Sequence, residues 1–162
     1  MPLAFRDKGT NIFYTKANLC LNIIYLCKVK TKYHHASHSK YMIKLHFVFA
    51  VKYRKPLLVD ALDIDMKQIL FEISQLKGFT IDTMQSDKDH IHLLIDIAPI
   101  FSAFEVAHQL KQISTFRIWK KYPTELRKHF WKEKTFWSDG YFVCSTGDAS
   151  TETIKKYIDE QG

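Results

Sequence analysis

Two histidines and a tyrosine–glutamine pair are the residues whose types and spacing could do chemistry in this sequence. His90-Ile91-His92 opens the run HIHLLIDI, which reads as a strand. Side chains at i and i+2 of a strand point to one face, so both imidazoles face one way and Ile91 the other. Two imidazoles on one rigid element suit a first-row divalent metal; two surface or hydrogen-bonded histidines would give the same triplet. Tyr157 and Gln161 stand at i and i+4 and share one helical face, beside a neighbouring face carrying Ile154 and Ile158. A cation near a tyrosine favours the phenolate, which is a nucleophile. A glutamine carbonyl is a neutral oxygen donor for a hard divalent ion. An amphipathic helix with an ordinary edge tyrosine fits the same spacing. Tyr141, next to Gly140, is the rival nucleophile; it ranks below Tyr157 because Phe142 and Val143 read as core.

These groups need elements to position them. Tyr41–Val51 is aromatic and β-branched and reads as a buried strand, ended by Lys52-Tyr53-Arg54-Lys55-Pro56. Asp60–Lys77 reads as a helix with Leu62, Met66, Ile69, Leu70, Ile73 and Leu76 inward and Gly78 as its stop. Phe79–Gln85 is a second strand, Asp87-Lys88-Asp89 a turn and His90–Ile97 a third strand. Ser102–Lys121 is a second helix, with Phe104, Ala107, Leu110, Ile113, Phe116 and Ile118 as its core positions. Tyr141–Ser145 is a short strand. Ser150–Gln161 is a last helix, with Ser150 as N-cap and Glu152 in the first turn. The order predicts an α+β, ferredoxin-like βαββαβ fold: an antiparallel sheet with two helices on one face, plus a C-terminal helix. That fold hosts many functions, so function must come from the site.

Composition narrows the classes. The chain has 162 residues, 46% hydrophobic and 14% aromatic, which supports a packed core and excludes wholesale disorder. Cys20, Cys27 and Cys144 are odd in number and lack CxxC spacing, against a disulfide framework or zinc cluster and for a reduced cytoplasm. No run of 18 apolar residues exists, so no transmembrane helix or membrane partner is expected. Leu19–Cys27 follows basic residues like a signal segment, but Asn22 interrupts it and no small-x-small site follows. Residues 1–32 lack a clean period and read as an extension before a domain spanning 33–162. The net charge is +7, of which the extension holds +5; residues 106–134 hold eight basic and two acidic residues, +6, offset elsewhere.

That local segment interleaves Lys111, Arg117, Lys120, Lys121, Arg127, Lys128, Lys132 and Lys134 with Trp119, Tyr122, His129 and Trp131. Cations with aromatics suit single strands, through phosphate contact and base stacking; a solvated helix face over core aromatics is the alternative. Lys52, Arg54 and Lys55 form a second basic turn, read as contacting DNA backbone. His46 reads as a hydrogen-bonded core histidine rather than a ligand, and Cys144 as a small buried hydrophobe.

HIHLLI and YFVCSTGDASTETIKKYIDEQ, in this order, resemble the single-tyrosine HUH transposases of small insertion sequences (TnpA-like), with their REP-associated relatives. KTKYHHASHSKYMIKLHFVFAVKYRKPLL resembles their N-terminal strand and KYR turn, and FWSDGYFV their last strand. The resemblance runs from Lys32 to Gln161. It implies that His90 and His92 are the metal-binding HUH pair, Gln161 the third ligand and Tyr157 the nucleophile, on a helix of about 150–161. It implies Mg²⁺ or Mn²⁺, single-stranded DNA with subterminal hairpins, and cleavage and rejoining through a 5′-phosphotyrosine. It further implies a homodimer whose tyrosine helix completes the partner's site, with Gly147 as the flexible point. The DNA-contacting set is Lys52, Arg54, Lys55, Lys111, Arg117, Lys120 and Lys121. The alternative is a non-catalytic ferredoxin-like single-stranded nucleic-acid-binding protein. Residues 1–32 have no counterpart in the family plan.

Overall fold

The structure, a computed structural model, describes residues 33–36 and 38–146. The extension 1–32, Gly147 and the helix read over 150–161, with Tyr157 and Gln161, lie outside them.

A small antiparallel hairpin comes first, β1 (His34–Ala36) and β2 (Ser39–Tyr41). Then follow β3 (Ile43–Ala50), a 3-10 turn at Lys52–Arg54, α1 (Asp60–Lys77), β4 (Thr80–Asp87) and β5 (His90–Ile97). The chain continues through α2 (Ala103–Lys121), α3 (Pro123–His129) and β6 (Phe142–Ser145). The main sheet has the order β4-β5-β3-β6 with every neighbouring pair antiparallel. This is the α+β, ferredoxin-like βαββαβ arrangement that the sequence predicts, with α3 added between α2 and β6.

Alternation on the strands explains the layers. Phe47 and Phe49 of β3 and Ile91, Leu93 and Ile95 of β5 join one buried cluster with Met66, Leu70 and Ile73 of α1 and Val106, Ala107 and Leu110 of α2. Burial of each of these side chains larger than Ala107 contributes about 1.5–3 kcal/mol. The other sheet face is thereby left to His46, His90, His92 and Cys144. Among the described residues, no helix is long and apolar enough to cross a membrane.

Several local expectations are corrected. The strand read over Tyr41–Val51 is two strands, β2 and β3, parted at Met42. β4 begins one residue later than expected and extends to Asp87, with an irregular register between Ile81 and Thr83. The basic segment contains α3, started by Pro123 in its first turn, where a missing N–H costs nothing. Phe104 and Phe116 are 65% and 72% exposed, not core. Leu110, Ser114 and Ile118 define the buried stripe of α2 at steps of four, and Phe116 falls on the opposite side of the helix. Buried Ser114 takes the place expected for an aromatic, and its Oγ accepts a hydrogen bond from Trp137 Nε1 at 2.9 Å. Leu76 is exposed in the last turn of α1, beyond its buried residues. Phe142 is exposed because register places it opposite Val48, on the histidine face.

Candidate active site

β5 brings His90 and His92 to one face, as the strand period requires: Ile91 between them is fully buried in the helix-side core. The two rings lie 5.0 Å apart, inclined at 71°. Antiparallel pairing sets His92 beside Val48 and His90 beside Ala50.

Each ring has its Nδ1 engaged. Asp89 Oδ1 lies 2.6 Å from His90 Nδ1, and His46 Nε2 lies 3.0 Å from His92 Nδ1. His46 Nδ1 faces Cys144 Sγ at 3.9 Å, so Cys144 is half-buried beside a polar ring instead of sitting as a plain hydrophobe. His92 is buried, and its Nε2 has no hydrogen-bond partner among the described residues. A buried polar atom without a partner is costly. Nε2 free with Nδ1 held by an outer partner is the arrangement of metal-binding histidines. Burial, then the charges of His46 and His90, push the His92 pKa down to about 4. The ring is therefore neutral at pH 7 and its Nε2 lone pair is available. Burial also lowers His46. The hydrogen bond from His90, with help from Arg54 at 3.5 Å, holds the Asp89 carboxyl below its usual range. This donor set fits a divalent ion.

Asp87, Asp89 and His90 form a second cluster, each offering one ligand atom, all within 4.8 Å of one another. It includes His90 and leaves out His92. By sequence Asp87-Lys88-Asp89 is a turn; two carboxylates immediately before an HxH triplet are the signal that marks it as more.

The basic turn has an architectural task. Tyr53 and Arg54 both adopt positive φ, 61° and 53°, a conformation uncommon outside glycine. The turn is held against the start of β5: Val51 N–H donates to Asp89 O at 2.8 Å and Leu58 N–H to Lys88 O at 2.9 Å. Five of the seven cations expected on DNA have protein partners. Lys52 pairs with Asp139 at 2.7 Å, Arg54 with Asp89, Arg117 with Glu72 at 3.0 Å and Lys121 with Asp65 at 2.6 Å. Lys111 donates to the carbonyls of Asp139 and Gly140 at 2.8 and 3.2 Å. Lys55 and Lys120 make no ion pair among the described residues. Tyr141 packs on Phe47 and Phe49, on the helix side of the sheet, away from both histidines.

The family model described as "Transposase IS200 like" matches residues 39–161. The chain belongs to this family of transposases. The ISDra2 transposase TnpA of Deinococcus radiodurans is 30% identical over 121 residues, covering 75% of this chain and 85% of the relative. The IS200 transposase of Salmonella typhimurium is 29% identical over 125 residues, 77% and 80% of the two chains. Among solved structures, a candidate transposase from Deinococcus radiodurans superposes with a TM-score of 0.66 at 26% identity, over 79% of this transposase and 97% of that chain. A REP-associated tyrosine transposase bound to a REP hairpin shares the fold, with a TM-score of 0.50 at 13% identity over 77% and 69%.

Proposed function

We propose that this transposase cleaves and rejoins single-stranded DNA at the ends of an element through a 5′-phosphotyrosine on Tyr157. The observation that carries the reading is the buried, unpartnered Nε2 of His92 beside His90, with both Nδ1 atoms held from behind. His90 and His92 would hold Mg²⁺ or Mn²⁺, with Gln161 as third ligand. The ion when bound supplies Lewis-acid polarisation of the scissile phosphate. Tyr157 attacks phosphorus; a tyrosyl O–P bond forms, the P–O3′ bond breaks, and the proton given up by tyrosine ends on the departing 3′-OH. The reverse attack by a 3′-OH frees Tyr157 and rejoins the strand. One phosphodiester replaces another, so no nucleotide cofactor is needed.

The substrate is single-stranded DNA with subterminal hairpins, a reading supported by the REP hairpin held by the structural relative. One nucleophilic tyrosine per chain cannot hold two cleaved ends, so the active species is a homodimer whose tyrosine helix serves the partner's site. Lys52, Arg54, Lys55, Lys111, Arg117, Lys120 and Lys121 contribute to the DNA-facing charge, and the chain works in the cytoplasm.

Labelled single-stranded and duplex oligonucleotides carrying an end hairpin, incubated with Mn²⁺, test this. Cleavage confined to the single strand and lost in His90→Ala and His92→Ala is expected. Equal cleavage of duplex, or full activity in both variants, would overturn it.

A further inference from the structure

A groove of about 710 Å³ opens between α2, α3 and the segment leading to Asp139. Its floor is fixed. Trp119 is 7% exposed and its Nε1 donates to Thr135 O at 2.8 Å; Trp137 is 3% exposed and its Nε1 donates to Ser114 Oγ. Its wall is Phe116, whose ring stands 72% exposed on the side of α2 turned from the core. Lys120, Arg127 and Lys134 also line it, and none of the three has an anionic partner among the described residues. The one carboxylate of the lining, Asp139, is occupied by Lys52. An exposed flat ring ringed by uncompensated cations fits a ligand that is both polyanionic and aromatic, which is the chemistry of unpaired nucleotides.

The groove is joined to the histidine-bearing strand. Trp137 bridges Val51, Ser138 N–H donates to Ala50 O at 2.8 Å, and Ala50 pairs with His90. Two strand spacings, about 10 Å, therefore separate the backbone of Trp137 and Ser138, at the groove's edge, from that of His90. The histidine rings face away from the helix layer, so a strand lying at them meets the groove by passing around the Trp137–Ser138 edge beside β3.

We infer that this groove binds a single-stranded stretch of the DNA flanking the scissile phosphate, stacking a base on Phe116 and placing phosphates at Lys120, Arg127 and Lys134. The inference rests on the strand-transfer reading for its substrate. It adds a binding site that is separate from the histidine face.

Binding of a fluorescein-labelled single-stranded oligonucleotide is followed by anisotropy over a salt series, in the full chain carrying Tyr157→Phe and without divalent metal. Further substitution of Phe116 by Ala should weaken binding by about 5- to 150-fold, the range for one stacked base. Replacing Lys120, Arg127 and Lys134 together by Ala should reduce the slope of log K against log salt by about 2, from about 0.7 per phosphate contact on single strands. All four side chains lie outside the buried core, and an unchanged thermal midpoint certifies each variant as folded. Affinity within twofold of the parent and an unchanged slope in both variants would overturn the inference. So would displacement of the oligonucleotide by poly-L-glutamate at equal charge concentration, which would mark the groove as a site for an acidic protein. Groove variants that bind normally while the unsubstituted chain cleaves DNA refute the groove alone. Groove-dependent binding without any cleavage supports the groove and refutes strand transfer.

Discussion

Replacing His46 by Leu removes the hydrogen-bond partner of His92 Nδ1 and leaves an apolar side chain of similar bulk. For Nε2 of His92 to coordinate a metal, Nδ1 must carry the proton and donate it to His46 Nε2 across 3.0 Å. Both residues are buried, so the stranded N–H finds no water. Leaving such a donor unpaired costs about 1–3 kcal/mol of folding stability. Loss of an outer partner of a metal-binding histidine costs about 10- to 100-fold in metal affinity. Urea unfolding reads the first effect and calorimetric Mn²⁺ titration the second. His46→Gln offers a side-chain oxygen that can accept the same proton and should recover much of both. Nitrogen-15 NMR of the metal-free parent should show His92 protonated at Nδ1. A Leu variant that binds Mn²⁺ within twofold of the parent and unfolds at the same urea concentration would refute the link between the two histidines.

Acid should weaken the fold through His92, whose pKa falls from an ordinary 6.5 to about 4 on folding. The unfolded chain takes the proton first, so this stability is complete above about pH 6.5 and is lost as pH falls toward 4; a flat urea midpoint across that range would contradict it. At high pH the sign is carried by Tyr122, which is pushed up to about 12 by burial, its hydrogen bond to Asp65 and the Asp65 charge. Its contribution is complete below about pH 10 and lost toward 12; circular dichroism should show Tyr122→Phe free of that loss. Gly78→Ala should lower stability by about 1–2 kcal/mol, because Gly78 ends α1 at φ 83° and a Cβ there meets nothing within 4 Å, leaving only the backbone penalty; an unchanged melting temperature would be at odds with this. Ser102→Ala should cost about 0.5–2 kcal/mol in thermal unfolding, since Ser102 and Glu105 cap α2 reciprocally; full stability in the variant would contradict that role.

The βαββαβ order was legible because each strand carries its own period and each helix its own stop, such as Gly78 after Lys77. The pairing of His90 with His92 on one face was legible for the same local reason. What surrounds them was not. His46 reaches His92 only through the register of β3 on β5, which sets His46 opposite Leu94 and so makes it the diagonal neighbour of a residue 46 positions away in the chain. Asp89 becomes the partner of His90 through the turn geometry, and the KYR turn docks there through backbone bonds that no side-chain pattern announces. Phe116 was misplaced because an aromatic residue looks inward by type, whereas the buried stripe of α2 runs through Ser114.

Mass-spectrometric mapping of the protein–DNA adduct tests the proposed chemistry most directly. The full chain is incubated with end-hairpin single strands and Mn²⁺, and the covalent species is digested and sequenced. A nucleotide linked through a 5′-phosphate to Tyr157, with no adduct in Tyr157→Phe, is the expected result. An adduct on any other residue, or one that survives in Tyr157→Phe, would contradict it.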